Sequence, residues 1–198
     1  MENQTTAPAD ADRHPTRLNP TAGKTRRELK FNELTDAVSE CERLLGSGYV
    51  RNGNWSLGQI CRHMKLTIEA NMHGYPTWMS ILGYPLRPLL RWLVLPRLLS
   101  GHSPSGVKTA PMFVPPMDLD DATEVSAFTA CVLKFQSNTG PLHPHPGFGP
   151  MDRDGFNQFH AAHAAHHLRF LEPAVEDSSK SVGQQCDQSI SRSRVTLK

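Results

Sequence analysis

GPMDRDGFNQFHAAHAAHHLRFLEP, residues 149–173, is the stretch whose reading settles the fold class. Asp152 can cap a helix start and Pro173 stops one, which predicts a helix of about twenty residues between them. Four of the chain's ten histidines fall in the eight residues from His160 to His167. At ~100° per residue, His160, His163 and His167 share a sector of roughly 60°, and Phe156 and Phe170 extend the same face. That face turns inward and carries three imidazoles toward the core. His166 falls well off the stripe and reads as a rim or surface residue.

Working outward, the rest of the ordered chain shows helical periodicity. Phe31, Leu34, Val38, Cys41 and Leu45 recur at three- and four-residue steps, which predicts a helix over about 32–45, stopped by the GSG at 46–48. A second helix starts at WSLGQ, where Ser56 can cap free amides and Gln59 can close a capping box, and runs to about Met72. WMSILGYPLRPLLRWLVLPRLL, from Trp78, resembles a membrane span in composition. Arg87, Arg91 and Arg97 and the prolines at 85, 88 and 96 interrupt it, so a broken helix packed on the others is expected. Asp120 and Asp121 open a further helix, with Val125, Phe128, Val132 and Phe135 on one face and Gly140 beyond it. No internal repeat and no strand pair stands out, so the expectation is an all-α bundle with short irregular links.

Composition bounds the rest. A chain of 198 residues, 38% hydrophobic and 20% charged, builds one ordinary domain with a core of its own. Its formal charge of +2, without a basic run interleaved with aromatics, argues against nucleic acid as a partner. Cys41, Cys61, Cys131 and Cys186 form no CxxC pair, and a chain of this size does not need disulfides; reduced thiols in the cytoplasm are the expectation. The N-terminal MENQTTAPADADRHPTRLNP lacks the apolar core of a secretory signal. Residues 1–25 and 174–198 carry few large apolar groups and read as disordered tails around a domain at 26–173, with Cys186 an incidental tail thiol.

The histidines carry the chemistry. Imidazoles at i and i+4 lie ~6 Å apart along a helix axis and can reach one metal ion from one face, as His163 and His167 do. A useful site needs a third ligand. His63, in GQICRHMKLTIE, shares a face with Ile60 and Thr67 and is the best candidate. A single inward histidine is ordinarily a satisfied core residue; three of them without partners would each cost a few kcal/mol, roughly, and a shared metal avoids that cost. The alternative is a hydrogen-bonded polar cluster with no metal. His160 reads either as a fourth ligand or as a hydrogen-bond partner. His143 and His145, in the loop GPLHPHPGFGP, read either as solvated residues of a stiff loop or as base, supporting group or substrate contact. Glu69 lies too far round its helix to serve as acid or base, and His73 belongs to its own turn.

NWSLGQICRHM, at 54–64, and HPHPGFGPMDRDGFNQFHAAHAAHHLRFL, at 143–171, together with the helices between them, resemble the DinB/YfiT-like superfamily, in particular its uncharacterised branch. The likeness runs from Arg27 to Pro173. It implies a four-helix bundle of DinB/YfiT type, here with an extra broken helix and disordered termini. It also implies one divalent metal ion on a helix-two histidine and two last-helix histidines, which by motif are His63, His163 and His167. Characterised members of that superfamily include thiol-dependent transferases and isomerases, so the resemblance implies a metal-dependent thiol transferase or hydrolase acting on a small molecule, with a low-molecular-weight thiol as cosubstrate. Zinc, nickel and iron all accept imidazole, so ligand type does not choose among them. After His167 the chain reads Leu-Arg-Phe where many relatives carry a polar run, a departure that bears on the substrate more than on the metal.

A second function class stays open. Residues 71–117 contain no Asp or Glu, while Arg87, Arg91, Arg97 and Lys108 stand among Trp78, Trp92 and many leucines. Such a stretch could lie on an anionic membrane surface, receive a protein partner, or wall a pocket that attracts an anion, in a non-catalytic module whose histidines are structural. Ordinary packing with snorkelling arginines is the preferred reading of the stretch. A homodimer through an exposed helix face is also left open.

Overall fold

A computed structural model describes residues 17–18, 26–102 and 109–174. Seven α-helices and two 3₁₀ turns dominate them. In chain order they are β1 (Arg17–Leu18), α1 (Leu34–Ser47), β2 (Tyr49–Arg51), α2 (Leu57–His73), α3 (Thr77–Gly83), α4 (Arg87–Leu93), α5 (Leu95–Leu99), α6 (Asp121–Ser137), α7 (Arg153–Leu168) and β3 (Leu171–Pro173). The 3₁₀ turns are Tyr84–Leu86 and Pro111–Phe113. The rest of the two expected tails, with Cys186, lies outside the described residues, as does Lys108.

α1, α2, α6 and α7 pack on one another. Their shared interior holds Leu34, Leu44, Met64, Ile68, Phe128, Phe135, Phe156 and Leu168, all fully buried. The face expected for α6 is buried at all four positions, Val125, Phe128, Val132 and Phe135. On α1 the buried stripe is Leu34, Ala37, Cys41 and Leu44, with Val38 and Leu45 at its edge, so the inward face sits about one position round from the expected one.

α2 begins as its sequence predicts. Ser56 Oγ accepts from the Gln59 amide, and Gln59 Oε1 accepts from the Ser56 amide. Asp121, in the first turn of α6, accepts from the Gly58 amide and the Tyr49 hydroxyl, and that hydroxyl accepts from the Leu57 amide. Gly58 is required at this crossing, since a Cβ would stand 2.9 Å from Asp121 Oδ1. Arg62 on α2 then grips Glu124 on α6 through two short hydrogen bonds, at 2.6 and 2.8 Å. The helix that carries His63 is thereby fixed in depth and rotation.

Two expectations need correction. α7 ends at Leu168, not near Pro173, and Leu171–Pro173 is a strand. It pairs antiparallel with Tyr49–Arg51, which also pairs in parallel with Arg17–Leu18, giving a small three-stranded sheet that the periodicity did not announce. Residues before a proline are pushed out of the α region, so Glu172 favours the extended form, and β2 supplies the partner. The broken helix is present as expected, in the pieces α3, α4 and α5, each opened or closed by proline. No helix among the described residues is long and apolar enough to cross a membrane.

Candidate metal centre

His63 leaves α2 toward α7 and meets His163 and His167. The Nε2 atoms of His63 and His163 lie 3.4 Å apart, and those of His163 and His167 lie 3.0 Å apart. One ligand nitrogen from each ring lies within 4.8 Å of both others. Nitrogens bound tetrahedrally to one zinc-sized ion sit about 3.3 Å apart, as follows from metal–nitrogen bonds of about 2.05 Å. The two short separations bracket that value, so the triad fits a metal ion and could hold one.

Supporting groups aim two of the rings, while His163 Nδ1 is buried without a hydrogen-bond partner among the described residues. His63 Nδ1 lies 2.8 Å from the Phe113 carbonyl, which makes Nδ1 the protonated nitrogen and leaves Nε2 with a free lone pair. Trp55, one residue ahead of the Ser56 cap, packs against His63 and stacks on His167, at 4.9 and 5.3 Å between ring centres. Burial lowers the pKa of all three histidines, and for His163 and His167 the neighbouring imidazoles push in the same direction. Neutral imidazole is the form that binds a metal.

The other histidines separate. His160 does not join the triad. It is fully buried among Phe135, Phe156 and Phe159, and neither ring nitrogen has a hydrogen-bond partner among the described residues. Both expected roles, fourth ligand and hydrogen-bond partner, give way to an apolar pocket that holds the ring neutral, with a pKa lowered to about 3 by burial and then by His145. His166 stands at the rim as its position predicts, 3.2 Å from an Arg169 nitrogen. His143 is exposed, in keeping with a solvated loop residue. Glu69 pairs with Lys65, away from the triad.

His145 is half-buried. Its ring stacks on Phe148 and packs edge-on against Phe159 and Tyr75. The loop that carries it is tied down: the His145 amide donates to the Gly149 carbonyl, the Gly149 amide to the His145 carbonyl, and Asn71 brackets His143 through its carbonyl and side-chain amide. Gly149, at φ +78°, makes the turn. Arg87 and Arg91 reach across from α4 to the carbonyls of Pro146, Phe148 and Pro150. These arginines therefore brace the loop, while the stretch that carries them lines the cavity through its apolar residues.

Triad and loop face one cavity of about 600 Å³. α3 to α5 form its far wall with Met79, Leu82, Leu90, Val94 and Leu98, and Tyr75 and His145 stand on its sides. Phe159 links the parts, touching His145 and His163 at 5.2 and 5.8 Å between ring centres. Tyr75 and Trp55 were not singled out from the sequence as site residues. Trp55 carried a signal, lying in the helix-two motif beside the cap; Tyr75 carried none, since its place depends on how the loop packs.

The family described as a protein of unknown function, DUF1569, matches residues 23–174. No curated protein and no solved structure matches the chain.

Proposed function

As the chain belongs to the DUF1569 family, whose function is unknown, we propose from the site itself that it binds one divalent metal ion at His63, His163 and His167. On this reading it uses the ion for thiol transfer to, or hydrolysis of, a small molecule in the adjoining cavity. The observation that carries this reading is the convergence of three imidazoles on the wall of a cavity, with Nε2 separations of 3.4 Å from His63 to His163 and 3.0 Å from His163 to His167. A four-helix bundle of DinB/YfiT type, formed by α1, α2, α6 and α7, is the architecture this reading adopts. The metal is zinc, nickel or iron, and the thiol a low-molecular-weight one. Reduced Cys41, Cys61 and Cys131, all free and buried, suit a cytoplasmic setting.

When bound, the ion supplies Lewis acidity at the coordination positions three imidazoles leave open, which lowers the pKa of a thiol or a water there. The chain's own residues do the rest. The Phe113 carbonyl fixes the His63 tautomer, Trp55 holds two ligand rings in place, and the apolar wall from α3 to α5 keeps bulk water from the reacting groups. The test is loss of free thiol, and release of nitrophenol from nitrophenyl esters, across a panel of electrophiles. Protein loaded with each metal should be active in at least one assay and the triple His63→Ala, His163→Ala, His167→Ala variant inactive; equal rates in both would remove the triad from the chemistry.

A second reading rests on α3 and α4. Trp78, Ile81, Leu89 and Trp92 are exposed there, Trp92 at 76%, within the stretch that lacks acidic residues. An anionic membrane surface suits that face. Flotation with vesicles of phosphatidylserine at low salt decides it: protein left in the soluble fraction excludes this role.

A further inference from the structure

We propose that the cavity beside the triad takes an uncharged, largely apolar molecule with one carbonyl-type oxygen, which the Tyr75 hydroxyl and the His145 Nε2–H hold by hydrogen bonds. This substrate class rests on the reading of the cavity as the reaction chamber of the metal site.

The first support is what the cavity lacks. None of its described lining residues is Asp, Glu, Lys or Arg. The basic groups nearest the loop, Arg87 and Arg91, are engaged with backbone carbonyls. Away from the metal position, an anionic group would lose its hydration with no cationic side chain to replace it, and a cationic one would find no carboxylate. An uncharged apolar body meets neither cost.

The second support is the tautomer of His145. Two backbone amides, of Gly147 and Phe148, donate to Nδ1 at 3.1 and 3.2 Å. A nitrogen that accepts two N–H groups cannot carry a proton of its own, so the neutral ring holds its hydrogen on Nε2. An imidazolium would set an Nδ1–H against both amides, and burial together with Arg87 lowers the His145 pKa to about 4 in the same sense. His145 is thus a fixed donor and is unsuited to take up a proton. Both hydrogen bonds to the ring among the described residues go to Nδ1, and the ring lines the cavity.

The third support is Tyr75. Its ring lies 5.7 Å from His145 and 6.4 Å from Phe113, whose carbonyl aims His63. Burial raises the phenol's pKa, which keeps its proton in place. Two neutral donors from neighbouring rings that line the cavity suit a single acceptor oxygen on a substrate whose carbon is to be attacked.

Equilibrium dialysis of the full chain against three probes of one shape tests this: 2-acetylnaphthalene, 2-ethylnaphthalene and 2-naphthoate, each with metal-loaded and with chelator-stripped protein. The ketone should bind about tenfold more tightly than the hydrocarbon in both forms, with naphthoate weakest in the stripped form, where no ion can take its carboxylate. Tyr75→Phe and His145→Asn should each lower ketone binding about fivefold and leave the hydrocarbon unchanged. Asparagine offers Oδ1 where Nδ1 stood, so the turn keeps its acceptor while the Nε2–H is removed. A ketone bound no better than the hydrocarbon, tightest binding by naphthoate to the stripped protein, no binding of any probe, or a preference unchanged in both variants would each overturn the proposal. A preference that vanishes on stripping would place the oxygen on the metal, ending the donor-pair role while the metal reading stands. A preference that persists in protein unable to take up metal would support the donor pair and end the metal reading. Nitrogen-15 NMR of the wild-type rings gives a check independent of any variant: His145 should be the Nε2–H tautomer at pH 6, and an imidazolium or Nδ1–H signal would refute it.

Discussion

Replacing His160 by leucine should stabilise the protein without disturbing the metal site. The ring is fully buried among Phe135, Phe156 and Phe159, and both nitrogens lack partners among the described residues. An unsatisfied buried polar group costs about 1–3 kcal/mol, and leucine fills much of the same volume with no polar atom. After allowance for imperfect fit, we expect His160→Leu to gain about 1–3 kcal/mol at pH 7.5. The pH dependence is a sharper test. The pKa is depressed in the fold, to about 3, against 6.5 in the unfolded chain, so the unfolded state binds the extra proton. The contribution of the neutral ring is complete above pH 6.5 and is lost as pH falls below it, at about 1.4 kcal/mol per unit. Between pH 7.5 and 5 the wild type should lose about 2 kcal/mol that the variant keeps, a figure set by the unfolded pKa and insensitive to the folded one. His145 and His166 titrate alike in both proteins and cancel in the comparison. Urea unfolding followed by circular dichroism at both pH values measures the gap. A variant less stable than wild type at pH 7.5, a gap that does not widen toward pH 5, or a loss of bound metal would refute the placement of His160 in a dry apolar pocket.

Nickel or cobalt bound at the triad should quench Trp55, which touches two of the ligand rings; in Trp55→Phe the quenching should disappear while uptake of the metal, read by elemental analysis, persists. Arg62→Met leaves the Glu124 carboxylate buried and unpaired and should cost roughly 2 kcal/mol, less than for a fully enclosed pair because Arg62 is partly exposed. Adding Glu124→Gln should restore part of that loss in a thermal melt, and full additivity would argue against the pair. Gly83→Ala places a Cβ 2.5 Å from the Pro146 carbonyl oxygen. It should cost about 1–3 kcal/mol in urea unfolding and shift the His145 ring resonances, while the triad's ring resonances stay in place.

The capping box at Ser56 and Gln59 and the spacing of His163 and His167 are local patterns, so the start of α2 and two-thirds of the triad were legible from the chain alone. His63 was legible because its neighbours Ile60 and Thr67 fix which face of α2 turns inward. His160 shares the stripe of His163 and His167, yet it meets Phe135 of α6 in place of α2; helical angle alone cannot say which neighbour a stripe position faces. β3 needed a partner more than a hundred residues earlier, which no window of sequence reveals, although the proline at 173 already disfavoured a helix there. Tyr75 and His145 come together only after the loop is fastened by Asn71, Arg87 and Arg91, three contacts made across long stretches of chain.

The metal content of untagged protein, set beside the triple His63→Ala, His163→Ala, His167→Ala variant, tests the central claim most directly. About one divalent ion per chain is expected in the wild type, and none in a variant that still gives a helical circular dichroism spectrum. If neither protein takes up zinc, nickel or iron when these are supplied, the three imidazoles form a hydrogen-bonded cluster, with His163 donating from Nε2 to its neighbours, and the metal centre does not exist.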